Sequence, residues 1–396
     1  MDTSAAGTET RIAHGALPAR DKLRLGIPRV LNVWSTHQFW IGLFGALGLD
    51  ARRIVFSSDT SDEQMREFGK GRGTVDSCYP VKCVSAHYGE LLALDRHRRI
   101  DVLFSTMIYS VPSFLHGHVV DSLACPRVMA APENIKAGFL KEGDAFAARG
   151  VRYVAPLVAL GEPDMAARQL LAALAEFLPG VTRREVEAAV RAGYAALEAF
   201  AAAARRQSRE ILENCARLER PCLLVLARPY HMDPGIGHEI EVDLQAYGFP
   251  VLWGQYLPTD PDLLGWMFGA EVAAGQVRSG LDIADVWPSS YSANTNEILW
   301  AAKFAARMPW IAGVIRLSSY ECGMDQPTYT PVQQIVERSG TLFFSFQDLD
   351  STKPAGAVRI RVETIAHYLA RDAAGIIARK RDASPPDCPL AAAPLP

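Results

Sequence analysis

The feature that most constrains this chain is an alternation of short apolar runs with helical patterns. Leu23–Val33 (LRLGIPRVLNV) reads as a buried strand, Ser35–Leu49 (STHQFWIGLFGALGL) as a helix with aromatic and Leu residues at turn spacing, and Arg53–Phe56 as the next strand. Parallel neighbours need a crossover, usually a helix, so this rhythm predicts an α/β sheet. It continues with a helix over 80–95, a strand over 100–104 and a short strand over 127–131. Residues 163–218 are Ala-rich and charged without strand character, broken at Pro179-Gly180, and Thr182-Arg183-Arg184-Glu185 is a capping box for a long second helix. A second α/β unit starts with the strand 221–227 and continues with strands over 250–253, 310–317 and 341–346, closed by a helix over 359–379.

The predicted architecture is therefore two doubly wound parallel-sheet α/β lobes joined by a helical connector. Its parts are a flexible start (1–22), a first lobe (23–158), the connector (159–218), a second lobe (219–382) and a Pro- and Ala-rich disordered tail (383–396). No internal repeat is visible in the sequence. Ligands of open α/β sheets sit beyond the carboxyl ends of the strands, so the loops there are where chemistry is sought.

With 41 basic and 44 acidic residues and a formal charge of −3, the chain offers no basic stripe for nucleic acid. Neither an apolar signal core nor a membrane-spanning run is visible, and a cytoplasmic location is expected. In that compartment the seven cysteines are not expected to form a disulfide framework. Cys215 and Cys222 read as core residues and Cys388 as an idle tail thiol. Cys78, Cys125 and Cys322 differ, because each lies in a predicted loop among turn residues. Cys78 precedes Pro80 at a helix start, where free amides and the helix dipole favour a thiolate. Cys83, about one turn further on, is a candidate fourth ligand or a packing thiol. Without a tight C-x-x-C pattern, spacing alone leaves packing and metal binding both open.

A second constellation, Ala227–Glu239 (ARPYHMDPGIGHE), gathers Arg228, Tyr230, His231, Asp233, His238 and Glu239 after the first strand of the second lobe. A zinc site from His231, Asp233 and His238 can be drawn, but its spacing matches no helical metal motif. A loop tied down by hydrogen bonds is the competing reading. In Tyr291–Trp300 (YSANTNEILW), Ser or Asn capping of the next helix accounts for most of the polar residues. Gly69-Lys70-Gly71-Arg72-Gly73 lacks the Walker spacing, so it is not read as a phosphate loop.

Taken in order, GIPRVLN, CYPVK with His87 beyond it, ACPRV, RPYHMDP, YSANTNEILWAAKF, ECGMD and RIRVETIAHYL resemble the dehydratase-like iron-sulfur part of the activase-related proteins of the 2-hydroxyacyl-CoA dehydratase and benzoyl-CoA reductase superfamily. The resemblance runs from residue 24 to 372. It implies a 4Fe-4S cluster held between lobes by Cys78, Cys125 and Cys322, with Cys83 as the candidate fourth ligand. It also implies a separate ATP-hydrolysing activase as electron donor and an acyl-CoA or other small substrate. Arg228, Tyr230, His231, Asp233, Asn294 and Asn296 are the expected substrate contacts. A double cubane would need about twice as many ligands, which favours the single cluster. The activase's nucleotide-binding sequences are missing, so no ATP is expected on this chain. Where relatives read Cys-Tyr-Pro-Ala-Lys-Leu-Val-His-Gly-His, Cys83 stands here for the Leu and Ser85-Ala86 for the first His and the Gly. The resulting expectation is an activase-dependent iron-sulfur redox protein, as a homo- or heterodimer, either a reductase or dehydratase component or an electron-transfer subunit. A non-redox thioester-binding or assembly subunit of the same fold is the alternative.

Overall fold

The computed structural model describes residues 17–72, 77–141, 143–320, 322–350 and 355–390. The expected flexible start falls outside them over 1–16, as do tail residues 391–396.

The first lobe contributes β1 (Leu25–Ile27), β2 (Ile54–Phe56), β3 (Val102–Phe104), β4 (Met107–Ser110), β5 (Arg152–Val154) and β6 (Leu157–Ala159). A four-stranded parallel sheet runs β2-β1-β3-β5, and β4 pairs with β6 in a separate two-stranded sheet. The second lobe contributes β7 (Cys222–Leu226), β8 (Val251–Trp253), β9 (Ile311–Ser319) and β10 (Leu342–Leu349), in the order β10-β9-β7-β8, again all parallel. Counted from its own first strand, each main sheet has the order second, first, third, fourth. The order reverses between β1 and β3 in one lobe and between β7 and β9 in the other, the positions where such sheets open a crevice.

Three expectations are corrected. Residues 127–131 form no strand but part of the helix Pro126–Leu140, because Pro126 presets the first turn and Val128, Ala131, Ile135 and Phe139 recur at helical spacing as its buried face. β1 is short: Pro28 follows it at once, and the helix Asn32–Ala46 begins before Ser35. The tail is not disordered over its described part, where Leu390 is 1% exposed and the Trp266 indole donates to the Pro385 carbonyl at 3.1 Å. Cys388 packs there against the second-lobe core.

The connector consists of helices Pro163–Ala175 and Arg183–Leu218. The capping box is present: Thr182 Oγ1 accepts from the Glu185 amide at 3.3 Å, and the Thr182 amide donates to Glu185 Oε2 at 2.8 Å. The long helix lies on Asn32–Ala46 with glycines at the crossing. A Cβ on Gly42 would stand 2.8 Å from the Ala192 carbonyl oxygen, and one on Gly193 2.8 Å from the Phe39 ring. Its first half, with Val186, Ala189 and Val190, enters the first-lobe core, and its end, with Leu212 and Cys215, enters the second. Among the described residues no helix is long and apolar enough to cross a membrane.

Candidate functional site

Cys78 caps helix Tyr79–Ala93, Cys125 caps helix Pro126–Leu140, and Cys322 lies in the loop leaving β9. All three therefore stand at the carboxyl edge of a parallel sheet. They are close enough for charge on Cys322 and Cys125 to act on Cys78. The Tyr230 hydroxyl feels Cys322 and Cys78, and the Arg228 guanidinium feels Cys322 and Cys125. Two first-lobe thiols and one second-lobe thiol thus share a neighbourhood with two residues of the ARPYH loop.

The site is dry. Burial pushes the Cys78 thiol up to about 11 against the opposing pull of the Val81 amide and Arg127, with Cys322 and Cys125 adding to the rise. The expected thiolate at this helix start is corrected accordingly: desolvation outweighs the amide. Burial also raises Cys322, Asp325 reinforces the rise and Arg228 opposes it. Among the described residues no group of three or more His, Cys, Asp or Glu side chains could hold a metal ion, so the thiols do not form a single-ion site.

Behind Cys322 lies a buried charge network. Arg228 donates through Nε to Asp325 Oδ1 at 3.1 Å, and an Arg316 terminal nitrogen stands 3.0 Å from the same oxygen. Ser318 donates to Asp325 Oδ2 at 2.8 Å. Burial pushes the Asp325 carboxyl up, but Arg228 and Arg316 outweigh it and hold it below the usual carboxylate range. Two guanidiniums against one carboxylate leave surplus positive charge in a water-poor region, an arrangement that favours an anionic neighbour.

Residues 24–257, more than half of the chain's 396, match the CoA enzyme activase uncharacterised domain (DUF2229). The chain belongs to this family. No curated protein matches it. The family region takes in Cys78, Cys83, Cys125, Arg228 and Tyr230 and ends before β9. Cys322, Arg316 and Asp325 thus join the site from outside it, through the fold.

The other expected site residues are held by contacts of their own. Cys83 is fully buried; burial raises its thiol, and the Tyr79 hydroxyl bonds to it. His231 is engaged on both nitrogens, Nδ1 at 3.2 Å from the Arg228 carbonyl and Nε2 at 3.1 Å from Ser319 Oγ. Asp233 accepts from the Thr60 hydroxyl at 2.8 Å and from the amides of Thr60 and Gly235 at 3.1 and 3.0 Å. A zinc site from His231, Asp233 and His238 is thereby set aside, since the first two are occupied in separate loop anchors. Thr60 also meets His87 Nε2 at 3.0 Å, and His87 Nδ1 meets Ser57 Oγ at 2.7 Å. Because the Thr60 hydroxyl gives its proton to Asp233, its oxygen accepts from His87 Nε2–H, and Nδ1 then accepts from Ser57. This chain latches the two lobes with a neutral imidazole.

Asn294 and Asn296 belong to a different junction. Asn294 bonds to Glu297, which accepts from Ser113 Oγ at 2.8 Å. The Asn296 amide donates to the carbonyls of Asp121 and Ser290 at 3.2 and 3.4 Å. Ser292 occupies the cap of helix Ala293–Arg307 without a side-chain cap bond and accepts from Thr295 Oγ1 at 3.0 Å instead. Sequence reading missed Arg316, although a lone Arg within the apolar run IAGVIRLSS is itself a signal of a buried partner.

Proposed function

We propose that the chain is an iron-sulfur redox protein related to components of the 2-hydroxyacyl-CoA dehydratases, taking low-potential electrons from a separate ATP-hydrolysing activase and passing them to a CoA thioester or another small substrate. The observation that carries this reading is the meeting of Cys78, Cys125 and Cys322 beside Arg228 and Tyr230. Family membership supports the link to CoA enzymes.

The chemistry of the donors supports this reading. Two buried thiols, Cys78 and Cys125, stand with the partly buried Cys322, and the nearby Asp325 carboxylate is already committed to two arginines and a serine. A cubane's thiolates bind different irons rather than one ion; among the described residues there is no single-ion site. Bound there, a 4Fe-4S cluster would supply one-electron transfer at low potential and, with three thiolates, leave one iron open. Cys78, Cys125 and Cys322 would hold it, and Cys83 remains the candidate fourth donor. Arg228 and Arg316 offset the negative charge of the thiolates, and buried Tyr230 keeps water from them.

Anaerobic reconstitution with iron and sulfide tests the reading. The expected result is a brown protein with about four irons per chain and loss of most of that iron in Cys322→Ala. A colourless protein, or a variant with undiminished iron, overturns it.

A further inference from the structure

The turn that carries Cys322 is tied to the buried charge network. The Cys322 amide donates to the Ser319 carbonyl at 3.2 Å, and the Asp325 amide donates to the Cys322 carbonyl at 3.2 Å. Met324, between the two, packs against an apolar cluster that contains Cys78, Cys125 and Tyr230. The Asp325 carboxylate is therefore fixed in the same turn as one thiol, and that turn lies against the other two.

That carboxylate is shared. Its Oδ1 stands 3.0 Å from a terminal nitrogen of Arg228 and 3.0 Å from one of Arg316, while Oδ2 takes the Ser318 hydroxyl at 2.8 Å. Arg316 spends Nη1 on the carbonyls of Leu226 and Leu317 at 3.0 and 2.9 Å, which pins it in the sheet. One negative charge thus answers two positive ones. Arg228 is the cation of this network that reaches the thiols: its guanidinium feels Cys322 and Cys125, and Cys322 feels Asp325 and Arg228 with opposite sign. Arg127, the cation that acts on Cys78, is exposed and screened by solvent. Asp233 acts on Cys83 and Tyr79 and is bonded to Thr60 and Gly235.

Such a charge suits a redox site. An arginine keeps its proton even when buried, where a lysine readily loses it, so the charge is fixed. Arg228 and Arg316 are at most 1% exposed, and in a dry region a fixed charge acts more strongly than it does in water. An iron-sulfur group gains one negative charge on one-electron reduction, and the net charge and burial around it set its potential. A positive charge held beside the thiols therefore favours the reduced form.

We propose that Arg228 sets how readily the thiol site takes up an electron, with Asp325 holding it in place and Arg316 offsetting the negative charge of Asp325. Arg228 acts through space rather than as a catalytic residue. The inference rests on the iron-sulfur reading above and adds to it a residue that tunes the site without ligating it.

Redox titration of the anaerobically reconstituted full chain tests the proposal, with titanium(III) citrate as one-electron donor and absorbance and electron paramagnetic resonance as readouts. Each titanium(III) is oxidised to titanium(IV) as the chain gains one electron. Arg228→Gln is expected to make reduction about tenfold less favourable, a midpoint about 59 mV more negative. Asp325→Asn is expected to shift the midpoint the opposite way. Ser318→Ala, which removes a hydrogen bond to Asp325 but no charge, is expected to shift it least. Opposite signs separate charge from loosened packing, which would move both charge variants the same way. If one charge variant does not retain its iron, the direction of the other against Ser318→Ala decides. Full iron content with midpoints that stay put, or that move the same way in both charge variants, overturns the role of Arg228 alone. A parent chain that takes up no iron overturns the cluster reading and this inference with it.

Discussion

The two lobes share one strand order and are stabilised by different means. In the first, the strands of the main sheet are three residues long, and the weight is carried by an aromatic layer in which Trp40 and Phe44 meet Phe104 edge to face at 5.5 and 5.2 Å. In the second, β9 and β10 run nine and eight residues, and the site end of the sheet holds ionised groups: Arg228, Arg316 and Asp325 are each at most 1% exposed. The same topology thus supplies thiols from helix N-termini on one side and fixed charge on the other. What the difference teaches is that strand order determines where a site can form, while the chemistry of that site depends on what each lobe places at its carboxyl edge.

The sharpest way to break this contrast is to remove the charge at its centre. Asp325→Asn keeps the shape but leaves two buried guanidiniums without their counter-ion, and a loss of about 3–5 kcal/mol is expected by urea denaturation. A loss below about 1 kcal/mol would mean that the second lobe does not depend on this network.

Acid should act on both lobes alike, because each holds one fully buried neutral imidazole. Burial lowers His87 to about 3 and His231 to about 4, against 6.5 for the free group. Between those values the unfolded chain binds a proton that the folded chain does not, so stability falls as pH drops below 6.5. At pH 5 each histidine is expected to cost about 2 kcal/mol relative to pH 8. Denaturation of His87→Gln and His231→Gln at both pH values checks this, each variant losing a comparable part of the difference. Equal pH dependence in variant and parent would sink the assignment.

The smallest effect is expected at the latch. Thr60→Val removes the hydroxyl shared by Asp233 and His87 while the Thr60 amide still reaches Asp233. A loss of about 1.5 kcal/mol is expected, together with a broader thermal transition as the lobes begin to melt separately. A sharp, unshifted melt would show that this contact does not couple them.

Much of the fold was legible because strand and helix alternate with unlike periods. The long helix after Thr182 and the strand at Cys222 needed only periodicity and a cap. The β4–β6 pair was not legible, since Met107–Ser110 follows β3 after a two-residue break and reads as loop. At the site, loop position singled out Cys78, Cys125 and Cys322. The partners of Arg228 were hidden because Arg316 looks like a strand residue and Asp325 like an ordinary turn. His231 and Asp233 misled for the opposite reason, being polar residues in a promising loop whose hydrogen bonds are spent on holding that loop.

The connector helix has a mechanical consequence. Its 36 residues span about 54 Å, with one end set in each hydrophobic core. It therefore works as a beam fixed at both ends rather than as a hinge. The lobes cannot swing apart without tearing one end from its socket.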